Sequence, residues 1–378
     1  MRRCAIAGAC LALGACRGVL PATEIVVTLD TTFGVPCAID ALHIEVVGDG
    51  DAVASDIPLH AADLPGSITL VPRGSPREAT VTVTGMRAGE AFATAQGSAS
   101  FEHETSLEMR FVLDRSCMPG PCPAVGVGGY TGLPAPQPRP GCGEHGYSWR
   151  SAPFVMRDAC AMHEASMGSV IPDVDEDEKP SPLSPGMPFP FWFYGSPVPK
   201  IWAGANGYIG FGDTAPDAIR MSIGGPRPLG DVGGFPGKGV LAFWDELRTG
   251  SVGVCFTLSG EFPDRMLWIT WKEACFGSLD GTPCGAADRG SLTFGIALEE
   301  TSNRIFVGYR AMTATGGNAD RAKANTATIG VTNAAPRGCK ATSCSADGVC
   351  QDGTPCGYTQ FSSFTAQIPL PALEFDPR

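Results

Sequence analysis

Phe189-Pro190-Phe191-Trp192-Phe193-Tyr194-Gly195, followed closely by Lys200-Ile201-Trp202-Ala203-Gly204-Ala205-Asn206-Gly207-Tyr208-Ile209-Gly210-Phe211-Gly212, is the stretch that decides the fold. An Asn-Gly pair between two apolar runs signals a β-hairpin, because both residues tolerate the positive φ that tight turns between twisted strands demand. Aromatic and β-branched runs continue at 240–245, 252–258, 266–271, 292–298, 304–309 and 327–331. Turns punctuate them and no helical period is sustained, which predicts a β-sandwich of jelly-roll-like or Greek-key order.

Outward from this region, the aromatic distribution marks a boundary: no Trp or Tyr precedes Tyr130, and all six Trp lie at or after Trp149. Residues 23–115 carry β-branched runs at 24–30, 42–47, 80–84 and 107–113 with partial period-two alternation. That pattern predicts a small antiparallel β-sandwich. Between the two units, residues 116–151 hold Cys117, Cys122 and Cys142 and the run Pro134-Ala135-Pro136-Gln137-Pro138-Arg139-Pro140, with Cys160 just beyond. Such a composition favours extended polyproline geometry and reads as a semi-rigid linker. The expected fold class is therefore all-β, with two β-sandwich units at 23–115 and 152–378 joined by a Cys/Pro-rich linker.

Composition supports this class. Gly and Pro number 49 and 33 of 378 residues, too many for long helices. The hydrophobic fraction of 43% suffices for a sizeable core, and the length suits two domains. A formal charge of −12 argues against nucleic acid as a partner.

The N-terminus, Met1-Arg2-Arg3 followed by an apolar run and Leu13-Gly14-Ala15-Cys16, resembles a bacterial lipoprotein signal. The resemblance implies cleavage before Cys16 and lipidation of that residue, with 1–15 removed as signal peptide and 16–22 left as a tether. An ordinary signal cut elsewhere is the alternative. The apolar stretch is too short to span a bilayer, which takes about 20 residues. Either way the chain is exported, and an outer-membrane or cell-surface location is expected, with the membrane as a partner through the lipid.

The cysteines fit an oxidising compartment. Without Cys4, Cys10 and the lipidated Cys16, twelve of the fifteen remain: Cys37, Cys117, Cys122, Cys142, Cys160, Cys255, Cys275, Cys284, Cys339, Cys344, Cys350 and Cys356. An even set in an exported chain predicts a disulfide framework whose pairing is not readable from spacing.

The ordered set Phe-Pro-Phe-x-Phe-Tyr-Gly, Asn-Gly-Tyr-Ile-Gly-Phe, Ala-Phe-Trp-Asp-Glu-Leu, a Trp-rich strand, Phe-x-Gly-Ile-Ala-Leu and a terminal Ile-Gly-Val resembles nidogen-type extracellular domains over about 170–333. The chain departs from that pattern in two cysteine-bearing insertions, where Asp-Gly-Thr-Pro-Cys-Gly occurs at 280–285 and again at 352–357. The resemblance implies adhesion or display, and it carries over no catalytic residue.

A search for chemistry gives little. The five histidines, His43, His60, His103, His145 and His163, all precede residue 164. A Ser-His-Asp hydrolase or a His-ligated zinc enzyme within the nidogen-like region therefore lacks its base or ligand. His103-Glu104 and His163-Glu164 lack the second His four residues on that a zinc protease helix needs, and read as solvated. Cys142-Gly143-Glu144-His145 and Cys160-Ala161-Met162-His163 have zinc-like spacing, but export favours disulfides. The acidic run 173–178 offers Asp173, Asp175 and Asp177 as oxygen ligands for Ca²⁺, the one cofactor candidate, against the plainer reading of a solvated acidic linker.

Two features bear on carbohydrate chemistry. Asp245 and Glu246 are adjacent on a strand and point to opposite faces, so they do not converge on one bond, and neither Glu261 nor Glu273 is paired with them by the sequence. Trp268 and Trp271, three apart on a strand, also face opposite sides, and one of them is expected exposed. With Trp192 and Trp202 they either fill the core or stack on sugars. The expectation is a non-catalytic surface protein acting in adhesion or in binding an extracellular protein or glycan. The alternatives are a carbohydrate-active or carbohydrate-binding accessory protein, and a structural envelope lipoprotein.

Overall fold

The computed structural model describes residues 23–48, 51–72, 78–118, 120–137, 139–142, 146–164, 169–171, 180–184, 186–215, 237–277, 284, 289–333, 358–363 and 372–378. They are almost entirely β, in two units with separate apolar cores.

The first unit comprises β1 (Glu24–Thr31), β2 (Ala41–Gly48), β3 (Asp51–Pro58), β4 (Gly66–Leu70), β5 (Glu78–Arg87), β6 (Glu90–Ser100), β7 (Ser106–Leu113), β8 (Cys122–Pro123) and β9 (Gly126–Gly129). One sheet runs β4-β1-β7-β9 and the other β3-β2-β5-β6-β8. Alternation decides the faces: along β7, buried Leu107, Met109, Phe111 and Leu113 take turns with half-buried residues. β5 does the same with Ala79, Val81, Val83 and Gly85. A period of two places every second side chain in the gap between the sheets.

The expectation of an antiparallel sandwich is corrected at two pairings: β1 lies parallel to β7 over eight residue pairs, Glu24↔Ser106 to Thr31↔Leu113, and the short β8 lies parallel to β6. The chain crosses to the other sheet and back between β1 and β7, the long connection a parallel pair requires.

The proline-rich stretch expected as a linker is fastened to the first unit. β8 and β9 add to the two sheets. Further on, the Gln137 amide donates to Asp30 Oδ2 at 2.8 Å, and Arg139 Nη2 donates to the Leu64 carbonyl at 2.6 Å. A Cys37–Cys142 disulfide closes the strap. Backbone without sheet partners has been tied down by side chains.

The second unit contains β10 (Tyr147–Ser151), the short helix α1 (Ala159–Glu164), β11 (Ser169–Ile171), β12 (Ser181–Pro182), β13 (Trp192–Phe193), β14 (Ser196–Pro197), β15 (Ile201–Gly204), β16 (Tyr208–Phe211), β17 (Lys238–Trp244), β18 (Leu247–Arg248), β19 (Val254–Ser259), β20 (Met266–Phe276), β21 (Ser291–Glu299), β22 (Ile305–Thr313), β23 (Thr328–Asn333), β24 (Tyr358–Ser363) and β25 (Ala372–Pro377). The larger sheet runs β10-β25-β22-β21-β20-β19-β11, and the facing sheet β12-β15-β16-β17-β23-β24. Aromatic packing joins them. Trp271 stacks on Phe294 with centroids 5.3 Å apart, and Phe294 meets Phe243 of the facing sheet at 5.6 Å. The Trp271 indole N–H also reaches across, donating to the Gly204 carbonyl at 2.9 Å. A buried Trp needs such a partner for its one polar atom.

The hairpin read from Asn206-Gly207 is present: β15 and β16 pair antiparallel from Ile201↔Phe211 to Gly204↔Tyr208. Its loop has three residues, Ala205-Asn206-Gly207, and Gly207 has φ +80°. A Cβ at Gly207 would stand 2.3 Å from the Phe243 carbonyl oxygen, so both conformation and space require glycine.

Candidate functional site

Asp245 is the most deeply placed polar side chain that the sequence singled out, at 1% exposure just past the end of β17. Its carboxylate accepts from Arg321 Nη2 at 2.8 Å, from Thr326 Oγ1 at 2.5 Å and from the Glu246 amide at 2.7 Å. Arg321 lies over the Phe276 ring, 4.3 Å from the centroid. Beside it, Asn206 Oδ1 accepts the Leu247 amide at 2.9 Å. A buried carboxylate is tolerable only with this degree of satisfaction. Every partner comes from 206, 246–247 or 321–326, so the node fixes the hairpin loop and the 314–327 crossover to the end of β17. Glu261 and Glu273 are exposed, in the turn before β20 and at its irregularity between Trp271 and Ala274.

The tryptophans divide differently from expectation. Trp271 fills the inter-sheet core, but Trp268 on the opposite face is buried too, at 4% exposure. The segment before α1 covers it: Phe154 stacks on Trp268 with centroids 5.3 Å apart and on Phe306 at 4.3 Å. The Trp268 indole N–H donates to Ser259 Oγ at 2.7 Å. The Ala159 amide donates to Thr270 Oγ1 at 3.1 Å, and a Cys160–Cys255 disulfide pins the cover to β19. The expected exposure of one of this pair is thus overturned. Trp192 and Trp202 remain half-buried, Trp202 with its indole N–H on the Gly212 carbonyl at 2.9 Å.

Cysteine pairing separates the two Cys-x-x-His motifs. Cys142 bonds Cys37 and Cys160 bonds Cys255, so neither is a free thiolate, and the zinc alternative loses its sulfur ligands. Cys117–Cys122 and Cys275–Cys284 close short loops. These eight of the twelve expected cysteines are paired. Cys339, Cys344, Cys350 and Cys356 lie outside the described residues, as do Cys16, Asp173, Asp175, Asp177, His145 and the side chain of His163. His103, expected as solvated, is exposed beside Glu104.

Sequence reasoning passed over a second polar cluster, formed where the two units meet. Glu300 is 1% exposed and accepts a bidentate pair from Arg265, Nε and Nη2 each at 2.7 Å. Arg87 of the first unit, 6% exposed, brings Nη1 to Glu300 Oε1 at 3.4 Å and donates through Nη2 to the Pro190 carbonyl at 2.5 Å. Burial lowers the Arg87 pKa from its ordinary value, with Glu300 opposing the shift. Hydrogen bonding to Glu300 raises that of Arg265. Lone charged residues at strand ends carry no signal for such a node. In a third network, the partly exposed Arg150 and Arg304 both hold the buried Glu374.

The ordered motifs fall on β16, β17 and β23 of one sheet, on β20 and β21 of the other and on the separate β13–β14 pair, and the sequence profile of a family described as NIDO related matches residues 161–360. The chain belongs to the NIDO-related family. The match is wider than the 170–333 read from motifs, running from α1 into β24 and taking in just over half of the chain. No curated protein and no solved structure matches the chain. Two strands beyond the NIDO-related span, β10 and β25, extend its larger sheet past β22, pairing from Tyr147↔Pro377 to Ser151↔Leu373. Four disulfides and membership of this family place the protein outside the cytoplasm.

Proposed function

We propose that the protein is a lipid-anchored surface protein that acts by adhesion or ligand binding and performs no catalysis. The observation that carries this reading is the Asp245 node: the carboxylate best placed for chemistry is consumed in an ion pair and hydrogen bonds that hold loops together. Catalytic carboxylates in glycoside chemistry come as a pair flanking a bond. Here Asp245 is 1% exposed whereas Glu261 and Glu273 are exposed. Disulfides fastening the strap and the cover suit a protein exposed outside the cell. Anchorage rests on the resemblance of residues 1–16 to a lipoprotein signal.

The test is metabolic labelling of the full-length chain with an alkynyl fatty acid in a Gram-negative host, combined with membrane fractionation and protease shaving of intact cells. Wild type is expected to be labelled, membrane-bound and removed by shaving, whereas Cys16→Ser is unlabelled and released. An unlabelled wild-type chain sinks the anchor. Hydrolysis of a glycan panel by the purified protein, abolished by Asp245→Asn without loss of folding, sinks the non-catalytic reading.

A further inference from the structure

Arg87 ends β5 at a two-residue hairpin tip, where Ala88 and Gly89 take φ +51° and +84° and Arg87 pairs with Glu90. Both turn residues in the left-handed region define a tight turn whose twist matches the flanking strands, so the tip is a stiff projection. The Ala88 amide is also tied to Asp40 Oδ2 at 2.8 Å. The Arg87 side chain leaves its own unit and finds its hydrogen-bonding partners in the other, at Glu300 and Pro190.

The receiving side is equally shaped. Glu300 opens a turn in which Thr301 and Asn303 both have positive φ. Thr301 Oγ1 donates to the Pro263 carbonyl at 2.8 Å, and Asn303 Oδ1 accepts the Trp192 amide at 2.7 Å. The pocket around Glu300 is therefore built from three separate chain segments before Arg87 enters it. Apolar contact crosses at the same place: Phe92 packs edge-on against Phe262 at 5.4 Å, with Arg87 5.4 Å above the Phe92 ring. At the rim, Arg115 reaches Asp264 at 2.8 Å.

Inter-domain contacts of ordinary polar character leave domains free to move. A buried guanidinium is different, because any displacement that breaks its pairing leaves charge in a low-dielectric site, so the contact tolerates one orientation and penalises the rest. We propose that Arg87 is a latch that locks the first unit and the NIDO-related unit into one rigid, cooperatively unfolding body, with Glu300 as its receptor. This inference is independent of lipidation and of any ligand.

The position of the tryptophans supplies the test. All six lie at or after Trp149, so tryptophan fluorescence reports only the second unit while far-ultraviolet circular dichroism reports both. Thermal melts of the wild-type chain with disulfides intact are expected to coincide by the two probes. In Arg87→Ala they are expected to part by about 5–10 °C, and small-angle X-ray scattering is expected to show a broadened distribution of maximum dimensions. Arg87→Lys retains charge and stem but not the planar fork, and is expected to fall between. Should Arg87→Ala not be recovered folded, the Arg87→Lys melts decide. Coincident melts and unchanged scattering in the variants, or separated melts already in wild type, overturn the latch.

Discussion

The two units solve the same burial problem in different ways. In the first, β5 and β7 bury every second residue and show the others to solvent or to polar neighbours. The core between them is mostly aliphatic, with Phe33, Phe92 and Phe111 as its buried rings. In the NIDO-related unit, β17 and β21 are buried on both faces, and rings from Trp244 and Trp271 to Phe294 and Phe375 fill the space. Covering the outer face takes extra chain. The 152–160 segment does so over β20, and the 314–327 crossover does so at the end of β17. A two-faced strand gains apolar contact on its second side, at the cost of holding its covers in place, and the disulfide Cys160–Cys255 and the Asp245–Arg321 pair perform that task.

The sharpest way to break this contrast is to empty the outer face of β20. Trp268→Ala removes a ring that Phe154 covers and is expected to destabilise by about 3–5 kcal/mol. Thr82→Ala, on the outward face of β5 in the first unit, is expected to change stability by less than about 1 kcal/mol. Urea unfolding followed by circular dichroism measures both. A small effect at Trp268 would mean the cover is not part of the folded core, and the second unit would then be as one-sided as the first.

Next in size is the Asp245 node. Asp245→Ala leaves Arg321 largely buried over Phe276 with its charge partner gone, an expected loss of about 2–4 kcal/mol. Asp245→Asn keeps hydrogen bonds without the charge and is expected to lose less. The urea midpoint should fall with an unchanged slope, since the folded state stays compact. An unchanged midpoint would free the carboxylate from its structural role and reopen the catalytic reading.

How much was legible follows from the same contrast. Alternation in 80–84 and 107–113 announces both the strand and its buried face, so β5 and β7 could be read, as could β1 and β2, while β3, β4, β6, β8 and β9 could not. The parallel β1–β7 pairing could not either, because pairing partners lie 82 residues apart and periodicity says nothing about direction. In the second unit, continuous apolar runs such as 240–244 and 292–298 announce strands but hide which face meets which layer, and for that reason one of Trp268 and Trp271 is expected exposed although both are buried. The Asn206-Gly207 hairpin was legible because glycine is dictated by local backbone. The Arg87–Glu300–Arg265 cluster was not, since three charges scattered over 214 positions resemble any solvated surface until the units are placed together. The strap at 134–140 was legible only in part: polyproline geometry predicts an extended segment, while its attachment through Gln137 and Arg139 depends on acceptors 75 or more residues away.

The smallest expected effect tests how the C-terminal strand is held at the edge of the larger sheet. Burial pushes the Glu374 carboxyl up, but hydrogen bonds and charge from Arg150 and Arg304 outweigh it and hold the pKa below the usual carboxylate value. Asp376, two residues on and lacking that degree of support, is raised by burial and then by repulsion from Glu374. The signs are opposite. Ionised Glu374 contributes stability above its unfolded pKa, which is lost as pH falls through the depressed folded value. Ionised Asp376 costs stability near neutral pH, and that cost disappears as acid protonates it below its raised value. Glu374→Gln is therefore expected to lower stability at pH 7 and Asp376→Asn to raise it, the latter by less than about 1 kcal/mol because the side chain is one-third exposed. Both differences from wild type should shrink as pH falls, that of Asp376 through its raised folded value and that of Glu374 only further down, through its depressed one. If both variants lose stability at pH 7, the two acids act as joint ligands of Arg150 and the strand is held by a single shared ion cluster instead of by Glu374 against its neighbour.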